Sequence, residues 1–267
     1  MDIQTKYESL KNNLKHLGSL CVAFSGGVDS AFLLAVARNV LGDRCIAVTV
    51  NSSMNMRSEF EEAKEFAANL RVKHIVVDAN EYSIKEFVEN GKERCYYCKH
   101  AIFSKIKDVA EQNGIQYVAD GSNADDSNDY RPGMKAIKEL EVVSPLKAVG
   151  LTKQEIRVLS KDLGLPTWDK PSFACLASRI PYGVQITPQI LTMIGQCEEF
   201  LVDLGFKQFR VRYHGDVARI EVLQEDIHRL LDDGLRNKIV ARFKESGFTY
   251  VSLDLEGYRT GSMNEVL

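Results

Sequence analysis

The sequence predicts an α/β fold in which a parallel sheet covered by helices is followed by a smaller α+β domain. Short apolar runs rich in β-branched residues alternate with amphipathic helical stretches from residue 19 to about residue 165, as in βαβ units. After residues 181–183 the predicted order changes to helix, strand, strand, helix and strand. A chain of 267 residues is also long enough for a main domain and a smaller partner. We therefore predict two domains, 1–180 and 181–267.

Five short hydrophobic segments are candidates for the strands of the first domain: residues 19–24, 44–50, 73–78, 116–120 and 141–144. Strands of a parallel sheet lie between two helical layers, so we expect these segments to be buried on both faces. Helices fill the intervals between them. One helix is marked by capping-box spacing at Thr152 and Glu155 and ends at Gly164, before Pro166.

The second domain is predicted to begin with a long helix over residues 188–204. Two strand-like runs, 208–213 and 217–222, follow it and are joined by a turn at 214–216. A further helical stretch reaches residue 246, and a last strand is predicted at 250–255. This order is typical of a small α+β domain.

Composition and charge argue against several classes of protein. With 45% hydrophobic and 27% charged residues, the chain has the composition of a folded globular protein. A net charge of −3 and an isoelectric point near 6.0 disfavour a basic surface for nucleic acid. Residues 1–18 are polar, and no apolar run approaches the ~18 residues of a membrane span. We therefore expect a cytoplasmic protein whose six cysteines are not disulfide-bonded.

The strongest chemical signal is the segment Ser-Gly-Gly-Val-Asp-Ser, residues 25–30, between the first predicted strand and the helix after it. A strand that leads into a glycine pair and a helix N-terminus leaves several backbone N–H groups directed at one spot, where the helix dipole favours negative charge. Gly26 and Gly27 let an anion approach the backbone, and Ser25 and Ser30 add hydroxyl donors. An isolated Ser-Gly-Gly could equally be a tight βα turn with a serine cap.

The full hexapeptide resembles the PP-loop, SGGxDS, of the ATP pyrophosphatase superfamily, which includes asparagine and GMP synthetases and tRNA thiolases. It is not a Walker motif, because the Gly-Lys-Ser/Thr ending is missing. The resemblance implies an enzyme that cleaves ATP between the α and β phosphates and transfers AMP to a substrate oxygen. Pyrophosphate would be left on the loop, and Asp29 could help to hold Mg²⁺.

A second candidate segment is Asp-Gly-Ser-Asn-Ala-Asp-Asp at residues 120–126. It follows a predicted strand end, which is where ligands bind in an open parallel sheet. We predict that Gly121 and Asp125 belong to the ATP site. The alternative is an Asx-rich turn, and for the segment taken alone that interpretation would be preferred.

Further motifs extend through almost the whole chain and together resemble the LarE family: DYRPG at 129–133, SRIPYG at 178–183, FRVRYH at 209–214, DVARIE at 216–221 and LDLEGYR at 253–259. The resemblance implies an ATP-dependent sulfurtransferase that adenylates the carboxylates of a pyridinium-3,5-biscarboxylate mononucleotide. It would convert them to thiocarboxylates for the nickel-pincer nucleotide cofactor of lactate racemase. The resemblance also implies a homo-oligomer, such as a hexamer, formed through a second domain that helps to bind substrate.

The same resemblance implies roles for five residues of this chain. Arg210 and Arg212 would contact the phosphate of the substrate, and Ser178, Arg179 and Glu198 would lie near the sulfur-transfer centre. The arginine roles are physically reasonable, because residues two apart in a strand project from one face and can bind one phosphate together. The alternative is that both arginines belong to an exposed strand face.

The cysteines fall into two groups. Cys95 and Cys98 form a Cys-x-x-Cys pair at the start of a predicted helix, and Cys175 lies between the two predicted domains. Three thiolates are too few to close a four-cysteine zinc site, and they suit an iron–sulfur cluster with one open iron. We interpret the remaining cysteines as buried structural thiols: Cys21, Cys45 and Cys197.

The LarE family has two ways of supplying sulfur. In one branch a single cysteine in the region of Cys175 gives up its own sulfur and is left as dehydroalanine. The other branch resembles tRNA thiolases in which three cysteines hold a [4Fe-4S] cluster, whose fourth iron can bind an extra sulfide. Because this chain also has Cys95 and Cys98, we assign it to the cluster branch, with Cys175 as a catalytic residue and sulfide or another sulfur donor as partner. Sacrificial chemistry, a redox Cys-x-x-Cys pair and unrelated thiols remain as alternatives.

Two other functions stay open. A tRNA 2-thiouridine synthetase shares the loop and the three-cysteine cluster but adenylates a uracil oxygen. Such an enzyme usually has additional zinc-binding cysteines and a basic RNA-binding face, neither of which is visible in this sequence. A non-catalytic nucleotide-binding regulator with the same fold would bind ATP and release no pyrophosphate.

Overall fold

The computed structural model describes residues 1–127, 132–259 and 261–264, and the chain divides into two compact units. Unit 1 comprises Met1–Ser52, Glu59–Ile84 and Glu93–Lys170, and unit 2 comprises Ser53–Ser58, Lys85–Lys92 and Pro171–Leu267. The domain boundary near residue 180 stays a prediction. The longest segment of unit 2 begins at Pro171. The sequence pattern did not indicate that two short segments of the N-terminal half belong to unit 2.

Unit 1 contains a parallel four-stranded sheet, which confirms the predicted α/β fold class. In spatial order its strands are β3 (Lys73–Asp78), β2 (Cys45–Asn51), β1 (Leu20–Ala23) and β4 (Val118–Ala119). Strand β1 lies inside the sheet, because Cys21 pairs with Ile46 on one side and with Val118 on the other. The carboxyl ends of β1 and β4 are therefore neighbours, at the edge where parallel sheets bind ligands.

The α-helices of the described residues are α1 (Ile3–Leu17), α2 (Val28–Leu41), α3 (Arg57–Asn69), α4 (Lys85–Val88), α5 (Arg94–Gln112), α6 (Gly133–Glu139), α7 (Pro145–Ala148), α8 (Lys153–Asp162), α9 (Pro188–Asp203), α10 (Ile227–Leu230) and α11 (Asp233–Glu245). Helices α4 and α9 to α11 belong to unit 2, and the others lie mainly in unit 1. In the part of the chain that the structure describes, no helix combines the length and the apolar character needed to cross a membrane.

Two apolar clusters fill unit 1, and alternate residues of β1 point into each. Leu20 and Val22 belong to the cluster that includes buried residues of α1 and α2, whereas Cys21 belongs to the cluster that includes Phe103 and Ile106 of α5. Side chains that alternate along a strand lie on opposite faces of its sheet, so the two clusters cover both faces. The loop between β1 and α2 is therefore anchored at both ends by elements whose side chains are packed in the core.

Two predictions about the strands of unit 1 were wrong. Strand β3 was expected to be buried on both faces, but it is the edge strand, and Val76 is 41% exposed. Residues 141–144 were expected to form a strand, but the structure has only a single parallel bridge between Ala119 and Val143 there. A run of β-branched residues does not reveal whether a strand is central or at an edge, because both positions accept such side chains.

Unit 2 contains a three-stranded sheet in the order β5 (Phe209–His214), β6 (Val217–Val222) and β7 (Tyr250–Leu253). Strands β5 and β6 form an antiparallel hairpin, and β7 pairs with β6 in parallel. Helices α10 and α11 lie between β6 and β7 in sequence, and α9 precedes β5. The predicted helix, strand, strand, helix, strand order of an α+β region is confirmed, with α10 as an additional short helix.

Candidate active site

The PP-loop lies between the end of β1 and the start of α2, where the backbone has no regular pairing of its own. The two serine hydroxyls fix its shape: Ser25 Oγ lies 3.1 Å from Ser30 Oγ, and the hydroxyl of Ser30 donates to the carbonyl of Gly27 at 3.1 Å. Gly27 caps α2 in an extended conformation without a side-chain hydrogen bond to the helix. The first N–H groups of α2 are consequently available for an anion.

Gly26 is a residue that no other amino acid can replace without strain. Its φ is +76°, in the left-handed region that glycine tolerates. A Cβ atom at this position would also lie 3.0 Å from the Cβ of Ala63 on α3. The loop therefore passes close to α3 through a glycine that is required both by conformation and by space.

The second candidate segment, residues 120–126, lies directly beside the PP-loop in unit 1. A Cβ atom on Gly121 would be 3.0 Å from the backbone nitrogen of Ser30, so glycine is needed for the close approach. The amide of Asn123 donates to Asp29 Oδ1 at 3.4 Å, and its Oδ1 accepts from the backbone N–H of Asp125 at 2.9 Å. The structure thus brings together all the residues predicted to bind ATP.

Two lysines that the sequence analysis missed also lie at this site. Lys153 Nζ is 2.5 Å from Asp29 Oδ2, and the Lys153 backbone N–H donates to Asp125 Oδ2 at 2.8 Å. Lys170 Nζ donates to the carbonyl of Gly26 at 3.3 Å and pairs with Glu62 at 2.7 Å. Lys153 is the first residue of α8, and the capping box at Thr152 marks the start of this helix. The capping box is therefore the sequence signal that could have located Lys153.

This part of unit 1 has the groups needed to bind a nucleotide triphosphate with its metal. Backbone N–H groups, two hydroxyls and two lysines can contact phosphate oxygens, and the carboxylates of Asp29 and Asp125 are hard oxygen ligands of the kind Mg²⁺ prefers. Asp29 and Lys153 are both partly exposed, with 20% and 27% of their side-chain surface accessible. A ligand can therefore reach both charges.

The four residues predicted to be catalytic form one hydrogen-bonded cluster in unit 2. Arg179 and Glu198 are fully buried and make a bidentate ion pair, with distances of 2.8 and 2.7 Å. The other arm of the Arg179 guanidinium donates to Cys175 O at 3.1 Å and to Ser178 Oγ at 2.9 Å. Arg179 thus holds the segment that carries Cys175 and Ser178 in a fixed conformation.

Glu198 and Arg212 connect this cluster to strand β5. Glu198 accepts a hydrogen bond at 2.9 Å from the backbone N–H of Val211, on the open edge of β5. Arg212 donates to Ser178 O at 3.1 Å and forms a bidentate pair with Glu221 of β6 at 3.0 and 2.8 Å. The residues that sequence motifs had selected separately are therefore contiguous within unit 2.

The alternative that Arg210 and Arg212 belong to an exposed strand face is wrong, because each is only 4% exposed. Burial, with a further contribution from the charge of Arg179, lowers the pKa of Arg210 to about 10. Buried guanidinium groups have bonding partners that an amino-acid pattern does not reveal. The roles of these arginines in binding phosphate stay predictions.

The cysteines divide as predicted between buried and accessible groups. Burial raises the pKa of each of the structural thiols to about 12: Cys21, Cys45 and Cys197. Cys95 and Cys175 are exposed and Cys98 is partly exposed. Cys95 and Cys98 lie about one helical turn apart near the start of α5, in unit 1, whereas Cys175 belongs to unit 2. Among the described residues, no three His, Cys, Asp or Glu side chains are grouped so that they could hold a metal ion.

One of the motifs that led to the family resemblance falls mostly outside the described residues. Of residues 129–133, Asp129, Tyr130 and Arg131 lie outside them, and Pro132 and Gly133 lie at the start of α6. A Cβ atom on Gly133 would be 3.3 Å from the carbonyl oxygen of Cys95 and 2.6 Å from Lys99 Cδ. This glycine therefore permits α6 to pack against the first turn of α5.

Comparison with known proteins identifies the family of this chain. Residues 19–166 match the family model of the Arginosuccinate synthase N-terminal HUP domain. An uncharacterized protein of Synechocystis sp. is 40% identical over 99% of each chain. The pyridinium-3,5-bisthiocarboxylic acid mononucleotide synthase of Lactiplantibacillus plantarum is 36% identical over 99% of this chain and 96% of its own. A glutamine-hydrolyzing GMP synthase of Chlamydia caviae is 27% identical over 60% of this chain and 34% of its own.

The matches differ in how much of the chain they cover. The family model and the GMP synthase match only part of the chain, and the family model covers the PP-loop, whereas the first two relatives extend through both units. The chain therefore belongs to the LarE family of PP-loop proteins and is an ATP-dependent sulfurtransferase.

Proposed function

We propose that this protein converts the carboxylates of pyridinium-3,5-biscarboxylate mononucleotide to thiocarboxylates, at the expense of ATP, in the synthesis of the nickel-pincer nucleotide. The observation that carries the proposal is the full-length similarity to a protein named for the corresponding bisthiocarboxylic acid product. The arrangement around the PP-loop supports it, since backbone N–H groups and serine hydroxyls that can bind phosphate lie at the carboxyl edge of a parallel sheet. The protein is proposed to act in the cytoplasm.

In the first step, a carboxylate oxygen of the substrate attacks the α-phosphorus of ATP. The bond between the α-phosphorus and the bridging oxygen breaks, so that pyrophosphate leaves and an acyl adenylate is formed. The N–H groups at the start of α2 and the hydroxyls of Ser25 and Ser30 would hold the leaving pyrophosphate. Lys153 and Lys170 would offset its negative charge, and Asp29 and Asp125 would hold Mg²⁺.

In the second step, a sulfur nucleophile attacks the carbonyl carbon of the acyl adenylate. The carbon–oxygen bond to AMP breaks, so that the products are AMP and a thiocarboxylate. Arg179 would keep the segment of Cys175 and Ser178 in place for this step, because its guanidinium binds the backbone and side chain of that segment. Glu198 would hold Arg179 and thereby act as a positioning residue.

The sulfur is proposed to come through a [4Fe-4S] cluster held by Cys95, Cys98 and Cys175. The donor set fits such a group, since these three thiols are the accessible ones and the other three are buried with raised pKa values. When bound, the cluster would supply a sulfide at its fourth iron. The proposal requires the three sulfur atoms to come within bonding distance of one cluster.

Unit 2 is proposed to bind the substrate and to form the contacts between subunits. Arg210 and Arg212 would recognise the phosphate of the mononucleotide, as guanidinium groups are suited to do. The assembly is proposed to be a homo-oligomer, such as a hexamer. Size-exclusion chromatography with light scattering measures its mass directly, and a monomer at micromolar concentration would exclude this part of the proposal.

The adenylation step is tested by pyrophosphate release. The full chain is incubated with Mg²⁺ and ATP, either alone or with the biscarboxylate mononucleotide or with total tRNA. We expect release above background only with the mononucleotide. Release only with tRNA would support the alternative of a 2-thiouridine synthetase, and ATP binding without release in every case would indicate a regulator.

The sulfur source is tested by iron analysis and protein mass. After anaerobic reconstitution we expect about four irons per chain and absorption near ~400 nm, both lost in a Cys95→Ala, Cys98→Ala, Cys175→Ala triple variant. A Cys45→Ala variant, which retains all three accessible thiols, serves as the control and should keep its iron. If wild type binds no iron and Cys175 loses the mass of one hydrogen sulfide after turnover, Cys175 is a sacrificial donor.

A further inference from the structure

Lys170 contacts the PP-loop from the last residue of unit 1, and Arg157 binds the backbone from which this lysine extends. Arg157 lies on α8, about one turn after Lys153. Its guanidinium donates to the carbonyl of Trp168 at 2.8 Å and to that of Lys170 at 2.7 Å. Two carbonyls of one segment are thereby held by a single rigid, planar group. No step of the proposed reaction uses Arg157.

The segment that ends at Lys170 has further contacts with α8 and within itself. The Lys161 ammonium lies 4.7 Å from the centroid of the Trp168 ring. The Trp168 N–H donates to Leu165 O at 3.3 Å, and the Lys170 N–H donates to Thr167 O at 3.1 Å. The segment therefore consists of hydrogen-bonded turns that α8 holds through two cationic side chains.

The Lys170 side chain is only 12% exposed and joins α3 to the PP-loop. Its ammonium pairs with Glu62 at 2.7 Å, lies 3.8 Å from Glu59 Oε1, and donates to the carbonyl of Gly26 at 3.3 Å. Both carboxylates belong to α3. The ammonium is thus held by charged partners on a packed helix, and it gives the Gly26 carbonyl a fixed partner outside the loop.

The contact at Gly26 determines how the next peptide group is turned. Glycine restricts its backbone little, so Gly26, with a φ of +76°, does not by itself select one orientation of the peptide that joins it to Gly27. The C=O and N–H of a trans peptide point in opposite directions. With the carbonyl held by Lys170, the Gly27 N–H lies on the side of the loop serines, 3.4 Å from Ser25 Oγ. The reversed peptide would present a carbonyl oxygen there, which repels an anion.

We propose that Arg157 is a positioning residue for the pyrophosphate site: it holds Lys170 at the Gly26 carbonyl, and Lys170 keeps the Gly27 N–H turned toward the bound anion. The inference rests on the proposed function, in which the PP-loop holds the leaving pyrophosphate. Arg157 acts through Lys170 rather than on the substrate. Its loss should therefore weaken the binding of pyrophosphate and leave the binding of AMP, which has no β and γ phosphates, as it is.

The test is calorimetric titration of the full-length protein with inorganic pyrophosphate or with AMP, in the presence of Mg²⁺. We expect pyrophosphate to bind about tenfold more weakly to Lys170→Met and about three- to fivefold more weakly to Arg157→Met. A variant with both substitutions should bind it no more weakly than Lys170→Met alone, because Arg157 acts through Lys170. Arg157→Lys keeps the charge without the planar fork, and its affinity should lie between those of wild type and Arg157→Met.

Arg38→Met is the matched control. Arg38 is also a partly exposed helical arginine of unit 1, and it pairs with Asp43 at 2.6 Å at the far end of α2 from the PP-loop. Its substitution should leave the affinity for pyrophosphate unchanged. AMP should bind equally to all the variants, which separates the positioning of the loop from a general loss of folding.

Three results would overturn the inference. The first is that Arg157→Met binds pyrophosphate as wild type does. The second is that the losses in the two single variants multiply in the double variant, which would mean that Arg157 acts independently of Lys170. The third is that Arg157→Met loses affinity for AMP and for pyrophosphate to the same extent. Failure of the proposed function would be seen elsewhere, as a lack of pyrophosphate release from ATP with the mononucleotide, and would leave these affinities unchanged.

Discussion

Gly26 and Lys153 illustrate how single residues of unit 1 would form the proposed ATP site. Gly26 lets the PP-loop turn against α3, and Lys153 places a positive charge against Asp29 and a backbone N–H against Asp125. The first residue satisfies a conformational requirement and the second an electrostatic one. Their substitution should therefore have different consequences for stability and for catalysis.

Gly26→Ala should both destabilise unit 1 and impair ATP binding. Alanine is strained in the left-handed backbone conformation of this position, and its Cβ atom would lie 3.0 Å from the Cβ of Ala63. We therefore expect a loss of about 2 kcal/mol in the free energy of unfolding. Gly42→Ala is the control, because its φ is +61° but no atom lies within 4 Å of a Cβ there. Urea unfolding and ATP titration measure both effects. Normal ATP affinity in Gly26→Ala would contradict this role of the loop.

Lys153→Met should weaken catalysis with little loss of stability. The ion pair with Asp29 is partly exposed, so its removal should change the free energy of unfolding by no more than about 1 kcal/mol. The loss of a cation at the pyrophosphate should lower kcat/KM for ATP by about tenfold to a hundredfold. Lys6→Met, which removes a salt bridge to Glu155 at the other side of α8, should leave kcat/KM unchanged. Equal kinetics of the two variants would contradict the assignment.

The sequence revealed some of these residues and not others for a physical reason. The PP-loop and residues 120–126 were predicted because each group of polar residues is contiguous and follows a strand. Lys153 and Lys170 were missed because each reaches the site from a distant part of the chain, and a single lysine among other charged residues has no distinguishing pattern. Arg210 and Arg212 were selected as a pair from their spacing along the strand, but their burial depends on partners that come from other elements.

At the scale of secondary-structure elements, Glu198 connects three parts of unit 2. From α9 it binds Arg179 of the segment that follows Cys175, and it accepts the N–H of Val211 on the open edge of β5. An edge strand has unpaired backbone groups, and a buried carboxylate satisfies one of them here. The packing of α9 against β5 is therefore partly polar.

Glu198→Gln should destabilise unit 2 strongly. The substitution leaves the fully buried Arg179 without a compensating charge, which typically lowers the free energy of unfolding by about 3 to 5 kcal/mol. Glu199→Gln is the matched control, because Glu199 is the adjacent residue and its side chain accepts an exposed hydrogen bond from the backbone N–H of Arg57. Denaturant unfolding of the two variants gives the comparison. If both unfold at the same denaturant concentration, the buried ion pair does not organise this unit.

The elements themselves were largely predictable from periodicity and caps. The helix after Thr152 has its capping box as predicted, and the α-β-β-α-β order of unit 2 is confirmed. The position of a strand within its sheet was not predictable, because β3 is as rich in β-branched residues as the central strands. No sequence pattern indicated that two short segments of the N-terminal half belong to unit 2, because only their tertiary contacts assign them to it.

At the scale of the whole molecule, we expect two histidines to make stability depend on pH. Burial, with a contribution from Lys64, lowers the pKa of His74 below its ordinary value of 6.5, and burial together with Arg219 lowers that of His214. The unfolded chain therefore binds more protons than the folded one just below pH 6.5, so stability should fall as pH falls through this value.

This dependence should be smaller in a His74→Gln, His214→Gln double variant. Thermal unfolding between about pH 7 and pH 5 measures it, since the histidines titrate in this interval. We expect the melting temperature of wild type to drop more steeply than that of the variant as the solution is acidified. A variant whose melting temperature falls in parallel with wild type would show that other groups cause the loss.

In the proposed reaction, ATP activates a carboxylate oxygen, which sulfur then replaces. The most direct measurement uses biscarboxylate mononucleotide whose carboxylates are labelled with heavy oxygen, together with ATP, Mg²⁺ and a sulfur donor. We expect one heavy oxygen in AMP for each thiocarboxylate formed, because the acyl adenylate breaks at the carbon–oxygen bond. Thiocarboxylate formed with unlabelled AMP, or AMP formed without any transfer of label, would contradict it.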